Sequence, residues 1–323
     1  MNGARVANWH ETLVTASDSN FDAALYLAVN ADLRAAARND PGFDPRAHFD
    51  RFGRQEKRKQ LARRDPERMA MKFQRFQPIL APDDLEFMAA AGAFPVSFGT
   101  RHLDVSDYDG ESANPGISDW FDALRSDPDG RYLDVGAGFR PVVHDNCAYL
   151  DVYPSLTSDI VITPGRSLPF KDHVLDGLAC LSVLEHVEDP FRLVDEMARV
   201  LKPGGRVFID WPFLQPVHGY PSHYYNATRM GLARLFEDRF VIEKLYTNSA
   251  QGANFTLSWI LEWFVQGMAE GPAKQAFLGL TVHDLLQRNP RDELYRECLR
   301  TMSEDMQLRL ACGNTLIGRL LAR

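Results

Sequence analysis

Tyr132-Leu133-Asp134-Val135-Gly136-Ala137-Gly138 decides the fold, read together with Tyr149-Leu150-Asp151-Val152 further on. A short apolar run ends in an acid and a Gly-x-Gly turn, and a second apolar run ends in another acid. In an open α/β sheet, ligands bind beyond the carboxyl ends of the strands, where strand order reverses. Glycine lets the backbone approach a ligand closely, because no Cβ intervenes. An acid at the tip of the second strand can accept hydrogen bonds from both hydroxyls of a ribose. The pair of runs predicts a nucleoside site.

A dinucleotide site needs G-x-G-x-x-G leading into a helix whose N-terminus holds the pyrophosphate. Here Phe139-Arg140-Pro141 follows Gly138, so the third glycine is missing. No helix pattern fits between Gly138 and Tyr149, and His144, Asp145 and Asn146 read as loop. The ligand should therefore lack a pyrophosphate.

Downstream, Leu168-Pro169-Phe170 precedes an expected strand at 175–184, which runs into Glu185-His186-Val187-Glu188-Asp189-Pro190. A helix pattern follows, with Phe191, Val194, Met197, Ala198 and Leu201 on one face, ending at Lys202-Pro203-Gly204-Gly205. The next strand is expected at 206–211. Strand, helix, glycine turn and strand make a crossover unit of a parallel sheet.

Taken together, LDVGAG, the acid of YLDV, SLPF, LSVLEHVEDP and RVLKPGGRVFI resemble the class I S-adenosylmethionine-dependent methyltransferases of the broad methyltransferase-11/23 type. The resemblance covers residues 130–248 and a last strand near 309–321. It implies an α/β fold: a Rossmann-like, seven-stranded, mostly parallel sheet, here with an N-terminal helical extension and a helical insertion before the last strand. It also implies S-adenosylmethionine as cofactor. Asp134, Gly136, Ala137 and Gly138 would face its methionine end. Asp151, with Val152, would take the ribose, Ser167 and Leu168 the adenine, and Ser182, Glu185 and His186 would lie near the sulfonium. Two departures stand out. Arg140 occupies a position that is usually small, and Thr163-Pro164-Gly165-Arg166 lacks the acid that often binds the adenine amine.

The 323 residues carry a formal net charge of −8, and 45% of them are hydrophobic. The length suits one sizeable domain with additions. The acidic balance argues against a general nucleic-acid binder, which carries a basic face. The first residues lack the apolar core of a signal peptide. The most apolar helix pattern, 259–268, is too short to span a bilayer. Cys147, Cys180, Cys298 and Cys312 form no C-x-x-C pair and read as reduced thiols of a cytoplasmic protein.

The expected organisation is a helical, basic extension at 1–75, a linker with short helices at 76–128, and a methyltransferase domain at 129–323 with its insertion at about 255–305. Residues 21–60 carry the pattern YLxxNxDL…HFxxFGxxE. It resembles a short helical element that accompanies bacterial enzymes of surface-glycan assembly, glycosyltransferases and methyltransferases among them. Residues 51–75 hold Arg51, Arg54, Lys57, Arg58, Lys59, Arg63, Arg64, Arg68, Lys72 and Arg75. This run is either a foothold on a membrane surface, a charged glycan or a glycan-assembly partner, or a solvated face that balances an acidic body. No Trp or Tyr interrupts it to stack bases, which counts against nucleic acid. In the insertion, Trp259, Ile260, Trp263 and Phe264, then Phe277, Leu278, Val282, Leu285 and Leu286, then Leu294, Tyr295, Leu299 and Met302 form amphipathic patterns.

The acceptor should meet the loop after the fifth strand, 213–228, which is stiffened by proline and dense in His and Tyr. Methyl transfer to an alcohol is an in-line displacement helped by a positioned base of near-neutral pKa. His223, His218 and His186 are the candidate bases, in that order. Tyr224 and Tyr225 suit a pocket wall better than a catalyst. No metal site is expected, because His218 and His223 lie in a proline-rich loop without a familiar ligand spacing. The expected activity is S-adenosylmethionine-dependent methylation of a small molecule or glycan acceptor at oxygen. The alternative is a non-catalytic nucleoside-binding or regulatory protein that docks through its N-terminal segment.

Overall fold

Cys147-Ala148-Tyr149-Leu150-Asp151 and Ile160-Val161-Ile162 are buried along their whole lengths, as strands covered on both faces must be. The computed structural model describes residues 8–81, 87–89, 92–99, 116–215, 218, 222–267, 271, 289 and 313–320, with the backbone alone at 87–89, 263–267 and 313–314. The chain groups into two units, Met1–Gly177 and Leu178–Arg323. The second and third amphipathic patterns of the insertion lie outside the described residues.

The first unit begins with strands β1 (Trp9–Glu11) and β2 (Leu13–Thr15) and helices α1 (Ala23–Val29), α2 (Ala31–Asn39) and α3 (Pro45–His48). A π-turn over Phe49–Gly53, β3 (Lys59–Leu61) and α4 (Pro66–Phe76) follow. Next come β4 (Phe87–Ala89), β5 (Val96–Phe98), α5 (Ser118–Ser126), β6 (Tyr132–Val135), β7 (Val142–His144), β8 (Cys147–Asp151) and β9 (Ile160–Ile162). Strand β10 (Leu175–Leu181) crosses into the second unit, which continues with α6 (Pro190–Val200), β11 (Leu201–Pro212), α7 (Arg229–Phe236), β12 (Phe240–Tyr246), α8 (Ala253–Gly267) and β13 (Gly313–Leu320).

In the first unit the strands run β10-β6-β8-β9-β5-β4, and in the second β12-β13-β11-β10. The β6–β8, β8–β9 and β5–β9 pairs are parallel, whereas β4 and β13 pair antiparallel with their neighbours. The mostly parallel α/β class is as the sequence implies. Nine strands take part among the described residues, two more than the seven expected. The extra pair, β4 and β5, comes from the segment expected to hold only short helices. No helix among the described residues is long and apolar enough to cross a membrane.

The residues of the N-terminal pattern form their own small core. Tyr26, Leu33 and Phe49 are buried with Ala16. Asp22 caps α1 by accepting from the Ala24 and Leu25 amides, and Asn30 donates to the Tyr26 and Lys59 carbonyls. A Cβ on Gly53 would collide with the Tyr26 hydroxyl, which explains the Phe-Gly of the pattern. This segment is also tied to the rest of its unit. β1 pairs with β7, and Lys72 of α4 meets Asp159 at 2.6 Å with both side chains buried. Arg68 forks onto Asp145 at 2.7 and 2.8 Å. Arg54, Arg58 and Arg63 pair with Asp18, Asp32 and Asp22. Much of the basic run is thus balanced by acids of the same unit.

Several boundaries depart from the sequence reading. Helix α6 ends at Val200, and β11 starts at once at Leu201, because the chain turns extended there (φ −78°, ψ 139°). Gly204, at φ +81°, then bends the strand. With Asp189 capping and Pro190 at the first turn, the buried face of α6 is Pro190, Val194, Met197 and Val200. Phe191 falls outside it and is exposed. β10 stops at Leu181 and gives way to a 3-10 turn over Leu184–His186. His144 belongs to strand β7 instead of a loop.

Candidate functional site

The glycine turn caps β6. Gly136 and Gly138 adopt φ +66° and +55°, the left-handed region that side chains resist. The Ala137 amide between them donates to Leu150 O at 3.0 Å, tying the turn to β8. At the tip of β8, Asp151 Oδ2 accepts from the Gly138 amide and Oδ1 from the Val152 amide, both at 2.7 Å. Burial pushes the Asp151 carboxyl up to about 6, against the downward pull of the Gly138, Val152 and Tyr153 amides. The two carboxylate oxygens offer four lone-pair directions between them, so acceptor capacity remains beyond these three amides.

Asp134 is fully buried and held by Arg140, with Nε to Oδ2 at 2.9 Å and Nη2 to Oδ1 at 3.1 Å. Arg140 is thus the neutralising partner of the motif's own acid. Sequence reasoning noticed Arg140 only as a departure. It also missed Ser155 and Thr157, whose hydroxyls donate to Gly138 O at 2.7 and 3.1 Å and brace the turn. A short polar stretch after a strand carries that signal only once the turn it braces is known. Past β9, Ser167 is half-buried and Leu168 buried, and the Leu168 carbonyl accepts from the Phe170 amide at 2.8 Å.

In the second unit, Ser182 follows β10 at φ +55°, uncommon for a residue with a side chain, and its amide donates to Asp210 O at 2.8 Å. The 3-10 turn buries Glu185 completely. Among the described residues, neither Glu185 carboxylate oxygen has a hydrogen-bond partner. Burial, with Asp210 nearby, pushes its carboxyl up to about 8. Its main-chain carbonyl receives the Tyr224 amide at 2.5 Å, which fixes the loop of histidines over the turn.

His186 and His218 place Nε2 at 3.7 and 3.9 Å from Glu185 Oε1. His186 Nδ1 lies 2.6 Å from the Ser222 carbonyl, so that nitrogen carries the proton. Burial holds this imidazole below its ordinary pKa, and its neutral form prevails near pH 7. His223 packs edge-on against both other rings, with centroids 5.5 and 4.6 Å away. Its own nitrogens are spoken for: Nε2 donates to Asn226 Oδ1 at 2.7 Å, and Nδ1 accepts the His218 amide at 3.2 Å. Asn226 in turn donates to Gln215 O, which orients its amide. His223 therefore locks the loop. Glu185, His186 and His218 offer ligand atoms all within 4.8 Å of one another, a grouping that the sequence spacing of these residues does not suggest.

Comparison with known families bears on what these elements are. Residues 133–209, from β6 through the core of β11, match the family described as "Methyltransferase domain". By sequence this segment is similar to methyltransferase domains. The chain is 32% identical over 130 residues to an uncharacterized methyltransferase of Mycobacterium sp. (strain KMS), covering 34% of this chain and 52% of the relative. It is 30% identical over 159 residues to one of Mycolicibacterium gilvum (strain PYR-GCK), covering 48% of this chain and 58% of the relative. The matched part thus spans little more than half the length of these relatives. A solved structure of a putative methyltransferase from Bacillus halodurans C-125 aligns with 60% of this chain and 92% of its own, at 18% identity and a TM-score of 0.34. The matched segment contains the glycine turn, Asp151 and the Glu185-His186 pair, but not His218 or His223.

Proposed function

We propose that this protein is an S-adenosylmethionine-dependent methyltransferase acting at oxygen on a small-molecule or glycan acceptor. The observation that carries the reading is the glycine turn whose Gly138 amide sits on the carboxylate of Asp151. That arrangement sets two glycines, which carry no Cβ, beside an acid with acceptor capacity left, which fits a ribose. The cofactor supplies an electrophilic methyl on a sulfonium. Gly136 and Gly138 admit it closely, Asp151 accepts from the ribose hydroxyls, and Ser155 and Thr157 keep the turn in shape. Glu185, His186 and His218 serve the acceptor side, while His223 positions their loop. The resemblance of residues 21–60 to the element of surface-glycan enzymes supports a sugar acceptor.

A second reading has one observation in its favour. Asp134, which the family resemblance assigns to the cofactor, is taken by Arg140 instead, as a binding protein with a reshaped pocket would allow. One experiment separates the two. The purified chain is titrated with S-adenosylmethionine in a calorimeter, then incubated with nucleotide sugars and glycans while S-adenosylhomocysteine is measured. Binding and product release are expected. Asp151→Ala should weaken binding by about 1.5–3 kcal/mol, the scale of hydrogen bonds to a charged group. Binding without turnover on any acceptor selects the second reading, and no binding at all removes both.

A further inference from the structure

We propose that Glu185, His186 and His218 form a binding site for one divalent transition-metal ion, with Zn2+ the closest match. The first support is a buried carboxyl group without a hydrogen-bond partner among the described residues. Glu185 is fully buried, and neither oxygen receives a hydrogen bond from the described residues. Carboxylates removed from water are normally paired, hydrogen-bonded or bound to a metal.

The second support is the direction of the ring nitrogens. His186 gives its Nδ1 proton to the Ser222 carbonyl, which leaves the Nε2 lone pair facing Glu185 Oε1 across 3.7 Å. That separation exceeds any hydrogen bond, so a proton does not bridge it. A metal ion does bridge such a gap. With bonds of about 2.1 Å, tetrahedral coordination places neighbouring ligand atoms about 3.4 Å apart. The observed 3.7 and 3.9 Å exceed this by a few tenths of an ångström, and the three ligand atoms lie within 4.8 Å of one another, so the side chains would draw inward on an ion.

The donor set selects the ion. Two imidazoles and one carboxylate suit Zn2+ and its first-row neighbours, whereas Mg2+ and Ca2+ prefer oxygen ligands. The Nδ1–H to carbonyl bond of His186 is the outer-sphere contact that metal-bound histidines generally make. His223 supports the site from outside, since its nitrogens are engaged by Asn226 and the His218 amide. Three protein ligands leave a fourth position for an oxygen ligand. That this ligand is the methyl acceptor rests on the proposed transferase reading; metal binding itself does not.

The test uses the full chain, stripped with chelator and loaded with Zn2+ alone, without S-adenosylmethionine, so its outcome is independent of methyl transfer. After desalting, one Zn2+ per chain is expected in the parent and in His173→Asn, a control for surface histidines. His218→Ala and Glu185→Gln should each bind at least ~100-fold more weakly, beyond the 10–100-fold scale of losing an outer-sphere partner. Glu185→Gln preserves side-chain shape, and far-UV circular dichroism checks that it folds. Zn2+ should raise the parent's melting temperature and leave that of Glu185→Gln unchanged. Retention of no Zn2+ by the parent, or equal retention by parent, His218→Ala and Glu185→Gln, overturns the proposal.

Discussion

Arg140 offers the sharpest test of how the glycine turn is held. Its guanidinium grips Asp134 through two nitrogens at 2.9 and 3.1 Å, with the arginine side chain 4% exposed and the aspartate 0%. Burial opposes the guanidinium charge, but the adjacent carboxylate outweighs that effect and raises its pKa above the ordinary value. Arg140→Met keeps most of the side chain's length and removes its charge, leaving Asp134 buried without its ionic partner. Breaking one side of a buried pair costs about 3–5 kcal/mol, a large share of the ~5–15 kcal/mol that stabilises a domain. Asp134→Leu should cost a similar amount for the reciprocal reason. The double variant should recover to within ~2 kcal/mol of the parent, since replacing both partners by apolar groups is often neutral. Arg140→Lys should recover only part, because a point charge cannot reproduce a two-nitrogen fork. Two units need not unfold in one transition, so urea melts should be joined by amide exchange of β6 and β8. Strictly additive single variants, or an Arg140→Met cost below ~1 kcal/mol, would refute the idea that this pair braces the turn.

Three further outcomes are expected. Lys72→Met should destabilise the first unit by about 3–5 kcal/mol, read from the same exchange experiment, because the Asp159 carboxylate would lose its buried cation and keep, among the described residues, the Tyr149 amide. Gly138→Val should abolish S-adenosylmethionine binding in calorimetry while the circular dichroism of the folded chain persists, since a β-branched residue is strained at φ +55° and sits at the sheet's rim. Burial lowers the His144 pKa to about 4. The folded state therefore favours the neutral ring, and this contribution, intact above pH ~6.5, is lost as pH falls from ~6.5 towards 4, at no more than about 1.36 kcal/mol per pH unit. Urea midpoints against pH should show a shallower decline for His144→Gln, and identical slopes would count against the assignment.

What was legible in the sequence was what a few consecutive residues decide. The seven residues ending in Gly138 specify a strand, a left-handed turn and its neighbour β8 because φ above zero and the lack of a Cβ are local properties. The limits of α6 were not legible in this way, since Pro203 and Gly204 read as a helix stop, yet the chain was already extended from Leu201. Local chemistry there allows both outcomes, and the long pairing of β11 with β13 favours the strand.

The charged and imidazole groups failed to announce themselves for a different reason. Lys72 and Asp159 lie 87 residues apart, and Arg68 and Asp145 lie 77 apart, so a run that reads as a free basic face becomes a set of internal anchors only after folding. His218 looked for a partner in His223, its nearest histidine in sequence. The fold gives it Glu185 instead, because the 3-10 turn after β10 and the loop after β11 meet where the Tyr224 amide binds the Glu185 carbonyl. His223, the first choice as base, proves to be the residue whose nitrogens the loop itself consumes. A histidine-rich loop therefore does not rank its members by position. The rank follows from which nitrogens are left to face a buried, unpartnered acid, and that criterion points to His186 through its Nδ1 bond to Ser222.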